Sequence, residues 1–403
     1  LITCSWVLFI TSGLQSIQTD IRLLIIIRSI AGLAVGSSSA ISPIYISELS
    51  SAKRRGMIVS LYQLYITISI VMAYALNHFF YRVSNGWRIE FAITSLPAII
   101  FLICSIKLPD TSNQNLKNES DNNQIRNGGY IQLNSISEEG SISLIDDNKA
   151  RFTQSQTVQQ SKDKIVYVQD INNNSTSQKP KQKLNQLKNL KIAFNNHPRQ
   201  FLIGIILALT QQITGINAII MFSPNILQAS GIQDTKMQLL TTIGIGAWNM
   251  VTTVIAVFLV DIIGRRPLLI TGFSLMGLGH GLVLISLIIR NFQFIGNLSL
   301  YFAIPGLLVF LLGFEVGPGP IYFVLVSELF PANVRGVATS LMTAINWAGN
   351  ILVVLTFLPL VEIISAEYVY LTFMVLSIGS AVFVYYMVKE TKGKNLDEIH
   401  PPQ

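Results

Sequence analysis

The stretch "SELSSAKRRG", residues 47–56, returns as "SELFPANVRG", residues 327–336. Each copy reads Ser-Glu-Leu, five variable residues, then Arg-Gly, and each sits between two long apolar runs. One phrase written twice in the same setting is the mark of a duplicated unit.

The setting decides the fold class. Half of the 403 residues are hydrophobic and 12% are charged, with a mean hydropathy of +0.50. Ten apolar runs recur, roughly 1–17, 21–46, 58–80, 89–107, 200–228, 238–260, 267–289, 298–326, 337–361 and 368–388. About twenty residues at 1.5 Å each cross a ~30 Å hydrocarbon core. Helices of a water-soluble core would carry polar faces, and these runs have almost none. The chain is expected to be an all-α membrane protein. Cys4 and Cys104 both fall inside runs and read as small hydrophobes, so neither a disulfide framework nor a metal site is expected.

The net charge of +7 is distributed as topology rather than as a nucleic-acid footprint. With the runs numbered in order, one side of the membrane collects Lys53, Arg54, Arg55, Arg265, Arg266, Arg335, Lys389, Lys392 and Lys394, together with a long basic segment. The other side holds Arg22, Arg82, Arg88, Lys236 and Arg290. The bias predicts that both ends of the chain and the long segment are cytoplasmic. That segment, within 109–197, is rich in Asn, Gln and Ser ("INNNSTSQKPKQKLNQ") and is expected to be a largely disordered linker. It separates four spans (1–108) from six (198–390), and a short tail (391–403) follows.

Inside the runs, polar residues stand out because burying them in lipid is costly. Gln63, Gln211, Gln212, Asn217, Asn249, Asn346 and Asn350 offer carboxamides, which donate and accept without carrying charge. Each could equally hold two helices together. Glu315 is a lone acid deep in a span, directly before "GPGP". Two prolines remove two amide donors there, so the eighth run is expected to bend or unwind. Gly215 is expected to loosen the fifth run between Gln212 and Asn217.

The segments "PIYISELSSAKRRG", "QQITGINAIIMFSPNIL", "DIIGRRPLL", "FEVGPGPIYFVLVSELFPANVRG", "INWAGN" and "KETKGKNLDEI" resemble the sugar porter family of the major facilitator superfamily, which holds facilitative glucose transporters and proton–sugar symporters. The resemblance implies a two-bundle fold of twelve helices and alternating access around a sugar site at the midplane. It implies that Gln63, Gln211, Gln212, Asn217, Asn249, Glu315, Phe323, Asn346, Trp347 and Asn350 line that site. It also implies a charged latch of Glu48, Arg55, Asp261, Arg265, Arg266, Glu328 and Arg335, and an intramembrane Arg28 in need of a partner.

Phe323 stands where the family usually has Trp, Tyr322 where Pro is common, and "LPDTSNQN" replaces the usual motif after the fourth span. The first copy of the phrase follows two spans and the second follows four of its own unit. The duplication therefore predicts two further spans and a Gly-Arg-Arg loop ahead of Leu1, making the chain ten helices of twelve. The implied partners are a small sugar (a hexose such as glucose), the plasma-membrane bilayer and, for a symporter, protons. A transport-silent sugar sensor, or a porter for polyols or other metabolites, stays open. No nucleophile, metal cluster or phosphate loop points to an enzyme or a cofactor.

Overall fold

The structure is a computed structural model that describes residues 1–50, 54–108, 194–195, 197–229, 234–291 and 298–393. The expectations for the 109–193 linker and the side chain of Glu48 lie outside the described residues. The spans belong to one unit, residues 1–109 with 185–403.

Thirteen helices are described. In the first half these are α1 (Ile2–Ile17), α2 (Ile21–Leu49), α3 (Arg55–Phe80), α4 (Gly86–Ile93) and α5 (Ser95–Lys107). In the second half they are α6 (Pro198–Ile213), α7 (Ile216–Ala229), α8 (Thr235–Ile263), α9 (Arg265–Asn291), α10 (Leu298–Val316), α11 (Pro318–Leu329), α12 (Ala332–Ile364) and α13 (Ala366–Met387). Taken as spans, α4 with α5, α6 with the start of α7, and α10 with α11 are single crossings. Nine segments among the described residues are then long and apolar enough to cross a membrane. The tenth expected run, α1, has 16 residues and covers about 24 Å at 1.5 Å per residue, short of the ~30 Å core.

Local chemistry sets the ends and breaks. Asp20 caps α2 by accepting from the Arg22 amide, and Asp234 caps α8 by accepting from the Met237 amide. The bend expected at "GPGP" is present: α10 ends at Val316, Gly317 leaves helical geometry (φ −109°, ψ −107°), and Pro318 starts α11. The loosening expected at Gly215 is also present. Its φ is +91°, so α6 stops and α7 restarts on a new axis.

The packed core lies in the second half. Phe201, Phe273, Phe310, Phe330 and Met276 are fully buried there. Five of its six spans bury 39–56% of their most apolar stretch, against 11–28% for the three long spans of the first half. In α1 the buried positions are Ser5, Thr11, Ser12 and Gln15, and Thr11 and Ser12 return their hydroxyls to the Val7 and Leu8 carbonyls at 2.7 Å each. In lipid an apolar face can stay outward at no cost, so small polar residues face the neighbours. The tightest seam joins α9 to α10. A Cβ at Gly272 would lie 2.5 Å from the Gly317 Cα, and one at Gly279 would lie 2.6 Å from the Phe310 amide nitrogen. Only glycine permits that approach.

Candidate functional site

Helix α3 runs along α8 and also meets α11, and the cavity lies where these helices face each other. Its volume is about 150 Å³, and all ten residues expected at the sugar site line it: Gln63, Gln211, Gln212, Asn217, Asn249, Glu315, Phe323, Asn346, Trp347 and Asn350. At ~30 Å³ per water this is room for about five waters, well below the ~300–1,000 Å³ of pockets for drug-sized ligands. It suits one small polar ring.

The carboxamides form a directed chain. Asn217 Nδ2 donates to Gln212 Oε1 (2.6 Å), and Gln212 Nε2 donates to Asn346 Oδ1 (2.9 Å). Asn346 Nδ2 then donates to Gln211 Oε1 (2.6 Å), and Gln211 Nε2 donates to the Pro318 carbonyl (2.9 Å). The chain thus joins the α6–α7 break to the α10–α11 break. Across the cavity, Gln63 Nε2 donates to Glu315 Oε1 at 3.2 Å, linking the two halves. Glu315 is fully buried.

Several buried polar atoms are left over. Asn249 Nδ2 and Oδ1, Glu315 Oε2 and Asn350 Oδ1 make no well-formed hydrogen bond among the described residues, although Asn249 and Thr253 lie beside the Glu315 carboxylate. Each such atom costs about 1–3 kcal/mol when left unmade. A solute rich in hydroxyls, each both donor and acceptor, would satisfy all of them.

Aromatics bound the space. Tyr62 and Phe323 meet edge to face, with centroids 4.9 Å apart, between α3 and α11. The Trp347 indole N–H donates to Ser39 Oγ at 3.0 Å, between α12 and α2. Farther along α3, the Tyr74 hydroxyl donates to the Ile220 carbonyl of α7 at 2.8 Å. The halves therefore touch on both sides of the cavity. Tyr62 and Ser39 were missed in the sequence, where tyrosines and serines are ordinary inside spans.

The charged cluster lies at the end of α3 that carries the repeated phrase. Arg265 is buried and binds Asp261 at 3.2 Å and Glu328 at 3.1 Å. The free oxygen of Asp261 accepts from the Met57 amide at 3.0 Å, so a carboxylate of the second half caps the start of α3 in the first. Gly56 makes this possible, because a Cβ there would come 2.3 Å from Asp261 Oδ1. Thr391 Oγ1 donates to Glu328 Oε2 at 2.7 Å. Glu390, which sequence reasoning passed over inside "KETKG", accepts from the Arg265 and Arg266 amides at 3.0 Å each and so caps α9.

The other arginines expected in the latch have these contacts. Arg266 donates to the Tyr385 carbonyl at 2.6 Å and lies over the Tyr385 ring. Arg335 Nε donates to the Phe330 carbonyl. Arg55 Nε has no partner among the described residues. Arg28 lies over the Phe91 ring, 5.3 Å from its centroid. It lines a larger neighbouring groove of about 840 Å³ whose walls are mostly apolar, with Gln15 and Thr94, and which shares Thr343 and Trp347 with the cavity. The smaller cavity carries the convergent polar groups, and the chemistry belongs there.

The family model described as "Sugar (and other) transporter" matches residues 1–127 and 141–402. The chain is 30% identical over 407 residues to the galactose-proton symporter of Escherichia coli strain K12, covering 98% of this chain and 77% of that protein. It is 30% identical over 385 residues to the glucose transporter GlcP of Staphylococcus epidermidis, covering 95% and 77%. Among solved structures it is similar to the proton:xylose symporter XylE of E. coli bound to 6-bromo-6-deoxy-D-glucose, with a TM-score of 0.70 and 25% identity over 99% of this chain and 81% of that one.

Proposed function

Because the chain belongs to the family of sugar (and other) transporters, a multi-pass membrane family of the major facilitator fold and not one of enzymes, we propose that it carries a small sugar across the membrane by alternating access. One observation carries this reading. Ten polar and aromatic side chains from both halves converge on one 150 Å³ cavity, in which four buried polar atoms wait for partners.

The hydroxyls of a sugar would take Asn249, Asn350 and the free oxygen of Glu315, while Gln212 and Asn217 would exchange bonds with each other for bonds to the solute. Trp347 and Phe323 would cover its flat faces. A hexose is the preferred substrate, supported by relatives named for galactose and glucose. Proton movement with the sugar is supported by the symporter relatives. We read α1 as a tenth span, and the excess of Lys and Arg at the phrase-bearing end supports a cytoplasmic side for that end and for both ends of the chain. The Asp261–Arg265–Glu328 cluster then closes the cytoplasmic side.

Uptake of radiolabelled glucose by cells expressing the full reading frame, challenged with hexoses, pentoses and polyols, tests the reading. Saturable uptake competed best by hexoses is expected. Competition by polyols alone would move the substrate out of the sugars, and uptake that never saturates would end the transport reading.

A further inference from the structure

One buried titratable group has no part in the cavity. His280 is fully buried in the middle of α9, in the segment "GLGHG" (277–281). Glycines beside it bring the neighbouring helices close: a Cβ at Gly279 would strike the α10 backbone, and one at Gly281 would meet the Met374 sulfur at 3.3 Å. The imidazole is boxed by Phe310, Phe373 and Tyr370, with centroids 4.5, 5.4 and 5.8 Å away. Its Nε2 lies 2.9 Å from the Thr214 carbonyl oxygen. A carbonyl only accepts, so Nε2 carries the hydrogen. The other ring nitrogen, Nδ1, and the Tyr370 hydroxyl have no partner among the described residues.

An imidazole in an apolar box is costly, and a leucine would fill the space without an orphaned nitrogen. What it secures is the carbonyl of Thr214, the residue that caps α6 immediately before Gly215. The last carbonyls of a helix have no intrahelical donor, and in lipid no water replaces one. His280 supplies the donor from another span. Phe373 backs the same point, since a Cβ at Gly215 would meet its ring at 2.8 Å. Beyond the break, α7 carries Asn217 into the cavity and Ile220 to the Tyr74 hydroxyl of the first half. The angle of the break therefore sets the cavity wall and a contact between the halves together.

We propose that His280 is a positioning residue for the α6–α7 break: its hydrogen bond to Thr214 holds α7 against the cavity, and its release frees α7 to swing away from Tyr74. The hinge is argued from geometry; only its role in passing a sugar rests on the function proposed above.

The test uses the full-length protein with Cys4 and Cys104 replaced by serine and a cysteine at Ile220, labelled in membranes with an impermeant maleimide and no solute. His280→Leu is expected to raise the labelling rate about tenfold. His280→Asn, whose shorter amide falls away from Thr214, should do the same. His280→Gln, whose amide reaches farther, should stay within threefold of the parent. In uptake normalised to the folded protein in the membrane, His280→Leu should lower kcat about tenfold and change KM less than threefold, a split that a loss of folded protein alone would not give. Parent-like labelling in both the Leu and Asn variants, or a Gln variant as fast as Leu, overturns the proposal. Because labelling needs no solute, a wrong substrate leaves this result intact.

Discussion

The two copies of the repeated phrase share their fixed letters and little else. Gly56, closing the first copy, is pressed against Asp261, Arg265 and Val260 of the other half. Gly336, closing the second, has nothing within 4 Å of the place its Cβ would occupy. Arg335 is tied to the Phe330 carbonyl within its own copy, whereas Arg55 Nε is unpartnered among the described residues. Glu328 reaches out of its copy to Arg265 and Thr391. At the positions described, the same letters are used differently, Gly56 as a docking point and Glu328 as a source of charge.

The largest expected effect tests that division at the glycines. Gly56→Val should cost about 3 kcal/mol or more, because its side chain must displace a carboxylate and a guanidinium that hold each other. Gly336→Ala, in open space on a helix, should gain about 0.5–1 kcal/mol from helix propensity. Thermal unfolding of the purified protein would show one midpoint fall sharply and the other rise. Equal responses would erase the distinction between the copies.

Next comes the charge itself. Glu328→Gln leaves the buried Arg265 with Asp261 as its only carboxylate partner in an ion pair among the described residues, an expected loss of about 2 kcal/mol at the closed end. The population should shift toward the state open there, seen as faster maleimide labelling of a cysteine at Met57. Labelling indifferent to the change would make the cluster a packing feature and not a latch.

Two smaller effects compare the halves at the cavity. Gln212→Ala in the second half should weaken sugar binding about tenfold, roughly 1.4 kcal/mol, with surface expression unchanged. Ser39→Ala in the first half removes one acceptor from the Trp347 indole, worth about 0.5–1 kcal/mol, and should weaken binding only a few-fold. A Ser39 effect exceeding that of Gln212 would move the weight of the site to the first half.

The cavity residues were legible in the sequence because lipid makes every buried carboxamide an anomaly. Seven carboxamides stood out in this way and Glu315 as a lone acid, while their sharing one site with Phe323 and Trp347 was what the resemblance implied. The breaks at Gly215 and Gly317 were legible because glycine and proline act on the backbone directly. Partners were not. Arg265 and Arg266 are adjacent and identical in kind, yet about 100° of helix rotation sends one to two carboxylates and the other to the Tyr385 carbonyl. Glu390 caps a helix that begins 125 residues earlier in the chain, and nothing local announces it. Tyr62 and Ser39 bear on the cavity through distance alone. His280 did have a signal, a titratable residue between glycines in an apolar run, and it remained unused because it touches no cavity wall.

The carboxamide chain has a consequence of its own, best put as grammar. Asn217 gives, then Gln212, Asn346 and Gln211 each receive and give in turn, and the last word is spoken to the Pro318 carbonyl. No single amide can be turned around without leaving two donors or two acceptors facing each other, and because the chain ends on a carbonyl, which only accepts, its direction is fixed. A visitor that claims the Gln212 oxygen therefore addresses, through Asn346 and Gln211, the bend of a different helix.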